Sequence, residues 1–307
     1  MANPRVEASR RFLDPKTLQK ISRLDIIARL VVEGSVTGLH KSPFHGFSVE
    51  FAQHREYTWG DELKHVDWKV FARTDRYYVK QYEEETNLHA NVLLDMSESM
   101  TYKGATAQLA KYEYACTIAA ALAFLLIRQQ DACGLHLFDD DLRGRVPASA
   151  HPFQLRDMAA EMAKVEVKRE SRVGPIFHRL AEEIRRRGLV IIVSDLFFSP
   201  EDLLSGIQHL RHKRHEVIVF HVMDHEEIVF PFDDITLFRG MEHKGELLAE
   251  PRSLRKGYLE AFERFKAKVS RELSDSRCDY VLVDTSEPPA VALSRYLVAR
   301  RRRTGAR

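Results

Sequence analysis

Cysteine is scarce in this sequence, and long apolar runs are absent. Three cysteines in 307 residues are too few and too scattered for a disulfide framework or a zinc knuckle. A reducing compartment is therefore the simpler expectation. The longest apolar run, Cys116 to Ile127, has charged neighbours such as Lys111 and falls short of the roughly 20 residues that a membrane-spanning helix needs. We expect a cytoplasmic protein without a membrane anchor.

A large excess of charge of either sign is also missing. The 47 basic and 45 acidic side chains leave a formal net charge of +2, which gives no reason to expect a polyanionic partner. The basic run Arg300 to Arg303 ends the last predicted helix without interleaved aromatic residues, and we interpret it as a solvated tail. No nucleic-acid binding is expected.

Three motifs with known chemistry are absent or incomplete. The chain has no Gly-x-Ser-x-Gly elbow of a serine hydrolase. His215-Glu216 begins a zinc-protease motif, but Val219 stands where the second histidine belongs. The stretch Gly240 to Gly245 is similar to the start of a phosphate loop, but Glu246 replaces the required lysine. These gaps exclude the motif-based routes to ester hydrolysis, zinc proteolysis and ATP binding.

From about Leu88 onward, short apolar strands alternate with helices. Leu189 to Val193 and Asp279 to Val283 predict buried strands, whereas Lys111 to Arg128 and Ser253 to Leu273 have helical spacing. Continuous apolar strands that alternate with helices are typical of a mostly parallel sheet covered on both faces. The predicted fold is a doubly wound, Rossmann-type α/β domain over residues 88–307.

Residues 1–87 follow a different pattern. Asp14 to Val32 is predicted to be helical, and His40 to Tyr82 is rich in aromatic residues, glycine and charge without a clean period. We interpret this part as a smaller, β-containing N-terminal subdomain.

Polar residues stand where two of the predicted strands end. Asp95, Ser97 and Ser99 follow one strand, and Ser194 and Asp195 follow another. Ligands of open α/β sheets collect at the carboxyl ends of the strands, and oxygen ligands suit Mg²⁺. The alternative is that the serines satisfy loop backbone groups and that Asp195 caps the helix near residue 200. The pattern by itself leaves both interpretations open.

Several motifs resemble known proteins. The run Asp95-Met96-Ser97-Glu98-Ser99 resembles the metal-ion-dependent adhesion site of von Willebrand factor A domains. Four N-terminal stretches resemble a bacterial family, domain of unknown function fifty-eight: Glu50 to Tyr57, Gly60 to Lys69, Ala72 to Asp75 and Val79 to Glu85. The C-terminal strand and helix are also similar to that family, so the resemblance covers nearly the whole chain.

The resemblance implies a von Willebrand factor A-like fold and a metal site. Its expected ligands are Asp95, Ser97, Ser99 and Asp195, and the expected metal is Mg²⁺, with Mn²⁺ as the alternative. Adhesion sites of this type normally take a threonine from an intervening loop, but the corresponding loop here, Glu170 to Pro175, has none. Ser171 is the candidate substitute ligand; alternatively, Arg172 lies near the site and opposes a cation.

The resemblance also implies a class of partner. Members of the family are often encoded beside MoxR-type AAA+ ATPases and are associated with chaperone-like maturation or remodelling of other proteins. We therefore expect a non-enzymatic protein-binding adaptor whose partner is a MoxR-type ATPase or its client. Two alternatives stay open: a metal-dependent hydrolase that uses the same pocket, and a metal-free scaffold that binds through its surface. The stretch Arg55 to Arg73 is the second candidate for a partner contact.

Overall fold

The computed structural model describes residues 49–58, 66–84, 88–164, 173–241 and 245–305. Of the described residues, those up to 84 and those from 88 onward belong to two different compact units, and each unit is described by itself. The predicted helix Asp14 to Val32 lies outside the described residues.

The smaller unit contains a two-stranded antiparallel sheet, so it is β-containing as predicted. Strand β1 (Val49–Glu56) pairs with β2 (Tyr78–Glu84), and helix α1 (Trp68–Thr74) lies between them in the chain. Asp67 caps α1 because its carboxylate accepts the backbone N–H groups of residues 69 and 70.

The larger unit is built around a six-stranded sheet. Its strands are β3 (His89–Asp95), β4 (Ala132–Phe138), β5 (Leu142–Ser149), β6 (Leu189–Ser194), β7 (Glu216–Met223) and β10 (Asp279–Asp284). Their order is β10-β7-β6-β3-β4-β5, and every neighbouring pair is parallel except β4 with β5. The predicted doubly wound, mostly parallel sheet is confirmed.

Helices lie between the strands along the chain. They are α2 (Lys111–Arg128), α3 (Gln154–Ala163), α4 (Val173–Glu183), α5 (Pro200–His212), α6 (His225–Val229), α7 (Pro251–Asp275) and α8 (Pro289–Gly305). A short 3₁₀ helix (Glu98–Thr101) follows β3, and a hairpin of β8 (Thr236–Arg239) and β9 (Glu246–Ala249) precedes α7.

Each face of the sheet has its own apolar core, because successive side chains of a strand point to opposite faces. Val92 and Leu94 of β3 pack into a cluster with α2, α3 and α8. Leu93, between them in sequence, packs into a second cluster with α4, α5 and α7. This two-sided burial explains why the strands have continuous apolar sequences. Helix α2 is buried almost all round.

The structure corrects the solvated-tail interpretation of the basic run for Arg300, whereas Arg302 is exposed as predicted. The Arg300 side chain is buried and pairs with Asp279 and Glu216, the first residues of β10 and β7. The Tyr296 hydroxyl also accepts a hydrogen bond from Arg300. Arg300 is therefore a structural cation that joins α8 to the sheet, since it contacts the carboxylates that begin two neighbouring strands.

Two helical glycines provide a matched test of packing. A methyl group at Gly206 of α5 would stand 2.5 Å from Cβ of Phe177 in α4, whereas one at Gly257 of α7 would meet nothing within 4 Å. We expect Gly206→Ala to lower the free energy of unfolding by about 2 kcal/mol through overpacking. Gly257→Ala should raise it by about 0.5–1 kcal/mol through helix propensity. Denaturant titration of both variants measures the two changes, and equal effects would contradict the α4–α5 contact.

A buried carboxylate predicts a pH dependence of stability. Burial raises the pKa of Asp131 from 3.8 to about 6, and its carboxylate accepts the backbone N–H of Leu88. A raised carboxyl pKa disfavours the folded state once the group ionises, so the penalty is absent below about pH 4 and complete above about pH 6. Asp131→Asn keeps the acceptor and cannot ionise. It should be more stable than wild type by about 2 kcal/mol at pH 7 and no more stable at pH 4, as measured by urea unfolding at both pH values. A pH-independent difference would contradict this.

Candidate functional site

The carboxyl ends of β3 and β6 bring two aspartates together at the centre of the sheet. Asp95 is the last residue of β3, and Asp195 directly follows β6. From β3 the chain moves to β4 on one side and later returns to β6 on the other. This reversal is the switch point where doubly wound folds open a ligand crevice. Both aspartates are buried.

The loop after β3 turns two serine hydroxyls toward each other. Asp95 accepts the backbone N–H of Ser97 at 2.9 Å, which closes the turn. The hydroxyl oxygens of Ser97 and Ser99 then lie 3.0 Å apart, and the Ser99 hydroxyl helps to lower the pKa of Asp195. On the other side, the Ser194 hydroxyl donates to Asp95 at 2.5 Å. The alternate spacing of the serines therefore produces one buried cluster of oxygen atoms.

A lysine ammonium lies directly beside this cluster. Lys111 is the first residue of α2, and its Nζ is 2.8 Å from Asp195 Oδ2 and 2.9 Å from Glu227 Oε1. Its side chain is only 2% exposed. A cation at a helix N-terminus is disfavoured by the helix dipole, so the two carboxylates are what stabilise it there. We call Lys111, Asp195 and Glu227 the ion triad.

The two aspartates have opposite pKa shifts. Burial, followed by the charge of Asp195, raises the pKa of Asp95 to about 7. Burial would also raise the pKa of Asp195, but the Lys111 ammonium lowers it below its ordinary value. Burial alone would lower the pKa of Lys111, yet the carboxylates of Asp195 and Glu227 raise it. Asp195 is therefore the ionised carboxylate of the two, and Asp95 is protonated more readily than Asp195.

A third strand end supports the site from the side of β7. Asp224 follows β7 and accepts the backbone N–H of Gly104 and the Thr285 hydroxyl. Glu226 accepts the Tyr102 hydroxyl and the backbone N–H of residue 105. These contacts fix the segment that connects the serine loop to α2, and thereby the position from which Lys111 enters the site.

The donor atoms of the oxygen cluster are of the type that hard cations prefer. The donors are the Asp95 and Asp195 carboxylates and two serine hydroxyls, a set that suits Mg²⁺ or Mn²⁺. Asp195, however, already contacts the Lys111 ammonium, which competes with any metal for that carboxylate. Ser171 and Arg172 lie outside the described residues. Within the described ranges, no group of three or more His, Cys, Asp or Glu side chains is placed to hold a metal.

The structure also decides what Asp195 does for the neighbouring helix. Asp195 accepts the backbone N–H of Phe197, whereas Ser199 is the residue that caps α5. The alternative in which Asp195 caps that helix is therefore wrong. Sequence reasoning missed Lys111 and Glu227 as site residues. The available signal was a lysine as the first residue of an otherwise apolar helix. The helix dipole disfavours a cation at the N-terminus, so a lysine there suggests carboxylate partners.

Removal of the triad cation should be strongly destabilising. Lys111→Met leaves two buried or half-buried carboxylates without their cation, and we expect the free energy of unfolding to fall by about 3 kcal/mol. The double variant Lys111→Met/Asp195→Asn removes one of those charges and should lose less than the two single variants combined. Chemical denaturation of the four proteins gives this coupling. A loss below about 1 kcal/mol for Lys111→Met would contradict a buried triad.

Comparison with known proteins finds several that are similar to this chain. Uncharacterized proteins of Mycobacterium tuberculosis and Mycobacterium bovis are 25% identical over 294 residues, which cover 94% of this chain and 91% of theirs. An aerotolerance-related membrane protein from Bacteroides fragilis is 14% identical, with a TM-score of 0.45, over 69% of this chain and 99% of that one. The SpRpn10 VWA domain is 14% identical, with a TM-score of 0.38, over 68% and 95%.

These comparisons correct the predicted location. The Bacteroides fragilis protein is described as a membrane protein, so the prediction of a cytoplasmic protein is wrong. The physical reason is that a charge-balanced α/β domain folds equally well beside a membrane, and its composition does not identify the compartment. Among the residues that the structure describes, no helix is long and apolar enough to cross a bilayer.

The family resemblance is confirmed. The fold is von Willebrand factor A-like, with its polar cluster at the carboxyl ends of the central strands. A family model matches residues 53–268, which is more than half of the 307 residues, and the chain therefore belongs to the family described as Protein of unknown function DUF58.

Proposed function

We propose that this protein is a non-enzymatic adaptor that binds a protein partner at the carboxyl edge of its central sheet. The partner that we propose is a MoxR-type AAA+ ATPase or its client, and the role is chaperone-like maturation or remodelling. The choice of partner rests on the family resemblance. The observation that carries the binding site is the convergence of Asp95, Ser97, Ser99 and Asp195 at the switch point.

In this proposal the oxygen cluster binds Mg²⁺, with Mn²⁺ as the alternative ion. Asp95, Ser97 and Ser99 would hold the ion, together with Asp195, and Ser171 remains the candidate for a further ligand. The bound ion would supply an electrophilic position for a carboxylate of the partner. Because hydroxyl ligands are neutral, the ion would keep much of its positive charge for that contact.

Lys111 makes metal binding competitive in this proposal. Its ammonium nitrogen lies 2.8 Å from the Asp195 carboxylate and also pairs with a second carboxylate, that of Glu227. A metal that takes Asp195 would leave Lys111 paired with Glu227 alone. The ion triad therefore lowers the affinity for metal and makes occupancy depend on what else contacts the site.

A hydrolase that uses the same pocket is the second candidate, and the hydroxyl environment disfavours it. The Ser97 and Ser99 hydroxyls are hydrogen-bonded to each other, and each helps to lower the pKa of a neighbouring aspartate. Within the described residues, neither hydroxyl has a histidine among its hydrogen-bond partners. The aspartate beside Ser99 is paired with Lys111, which makes it a poor general base. The third candidate, a metal-free scaffold, gains support from the same lysine.

The first test is titration calorimetry of the metal-stripped protein with Mg²⁺ and Mn²⁺. We expect saturable binding in wild type, no binding in Asp95→Ala, and binding at least about tenfold tighter in Lys111→Met, because the competing cation is gone. Correct folding of each variant is checked by circular dichroism.

The same variants are then tested for capture of the candidate ATPase with Mg²⁺ or with a chelator. Capture that requires Mg²⁺ and Asp95 supports the adaptor with a metal site. Capture that is indifferent to both supports the metal-free scaffold. Turnover of phosphoester or peptide substrates with Mg²⁺ would support the hydrolase and overturn the proposal.

A further inference from the structure

A cavity of about 600 Å³ opens beside the ion triad. It is lined by residues at the carboxyl ends of β6 and β7, at the start of α5 and along α7. Five aromatic side chains line it: Phe197, Phe198, Tyr258, Phe262 and Phe265. We call it the aromatic pocket. Its volume is that of a site for a small ligand or a few side chains.

The polar end of the pocket has a net negative charge on its accessible side. Lys111, Asp195 and Glu227 all line it. Lys111 and Asp195 are each 2% exposed and neutralise each other, whereas the Glu227 side chain is 26% exposed. Glu227 is therefore the carboxylate that an incoming group would meet. Burial raises the pKa of Glu227, so its charged form is under-stabilised and would gain from a second cation.

The aromatic rings in the wall of the pocket suit a cation. Aromatic rings attract ammonium and guanidinium groups that lie within about 6 Å of the ring centroid. One lining ring already has such a contact, since the Lys266 ammonium is 5.7 Å from the centroid of the Phe262 ring. The long apolar stem of an arginine would cover the same rings, and its planar guanidinium would stack on them.

The segment at the mouth of the pocket holds a strained conformation. Leu196 has φ 56°, a left-handed backbone conformation that is uncommon for a bulky residue and tends to occur at binding sites. The Ser194 hydroxyl fixes it by accepting the Leu196 N–H. The next residue, Phe197, is 65% exposed. Its ring is therefore the part of the pocket wall that a partner can reach from solvent.

A buried histidine adds an unused polar atom. The His221 side chain lines the pocket and is 1% exposed. Its Nδ1 is 2.7 Å from the Tyr280 hydroxyl, whereas its Nε2 has no hydrogen-bond partner within the described residues. The imidazole also faces the backbone of Asp195, so His221 belongs to the buried wall between the pocket and the ion triad.

We propose that the aromatic pocket binds an arginine side chain, flanked by apolar residues, from an exposed segment of the partner protein. The proposal rests on the protein-binding function proposed above and gives the chemistry of the partner. The guanidinium pairs with Glu227, the stem lies against Phe197 and Phe265, and the flanking apolar residues fill the remaining volume. Arginine is a frequent centre of binding energy at protein interfaces for these reasons.

The test uses three capped pentapeptides that differ only at their centre: Gly-Leu-Arg-Leu-Gly, Gly-Leu-Gln-Leu-Gly and Gly-Leu-Glu-Leu-Gly. Each is titrated into the isotope-labelled full chain in the presence of a chelator, and backbone chemical shifts report binding. We expect the arginine peptide to bind at least about tenfold more tightly than the glutamine peptide, which corresponds to one favourable charge contact. The glutamate peptide should bind most weakly.

Three variants locate the effect. Glu227→Gln retains a carbonyl acceptor for Lys111 and should reduce the preference for arginine over glutamine to about twofold or less. Phe197→Ala removes an exposed ring and should weaken all three peptides without loss of fold. Glu260→Gln removes an exposed carboxylate of α7 that does not line the pocket, and it should leave every affinity unchanged.

The outcomes separate this inference from the metal site. Because the chelator removes Mg²⁺, the peptide titration does not depend on the oxygen cluster. Equal affinities for the three peptides, or no binding of any of them, would overturn the arginine pocket whatever the calorimetry gives. A preference for arginine that survives Glu227→Gln would also overturn it, since the charge contact would then lie elsewhere.

Discussion

The buried ammonium of Lys111 is the contact on which the arrangement of the site depends. It lies between Asp195, which follows β6, and Glu227, in the short helix after β7. One side chain from α2 therefore joins two neighbouring strand ends. A charge that is 2% exposed persists only where its partners are fixed in place, so the surrounding turns must be well determined. The capping of α6 by Asp224 and the contacts of Glu226 with the segment before α2 supply that constraint.

The same ammonium gives the oxygen cluster its particular chemistry. Asp95, Ser97 and Ser99 converge in one buried cluster, but the neighbouring carboxylate of Asp195 already contacts a cation. The Lys111 ammonium carries positive charge as a metal ion does, but it has no open coordination position for a ligand. Competition between the lysine and a metal is a physical means of making partner binding conditional. It also explains why the metal-free scaffold remains a natural alternative within the same fold.

The aromatic pocket and the oxygen cluster share the ion triad as a common wall. A partner that places a cation beside Glu227 would compete with Lys111 for that carboxylate and would move the lysine toward Asp195. A metal in the oxygen cluster would push it the other way. Occupancy of the two sites is therefore expected to be linked through one side chain. If both proposals hold, the carboxyl edge of the sheet would offer one partner two chemically different contacts, one for a carboxylate and one for an arginine.

Much of the fold was predictable from the sequence because the physical rules involved are local. Strands buried on both faces must be apolar throughout, and α2 must be apolar almost all round, so the alternation from Leu88 onward determined the doubly wound sheet. The Asp-x-Ser-x-Ser run after β3 likewise marked a strand end with converging oxygen atoms. The tertiary structure alone decided the rest. Lys111 and Glu227 are 116 residues apart in the chain, and Arg300 and Glu216 are 84 apart. Whether such charges are solvated or buried depends on which strand ends become neighbours. No local sequence pattern specifies the order of strands in the sheet. Sequence by itself therefore determined the elements and the oxygen donors, whereas packing decided which cation those donors face.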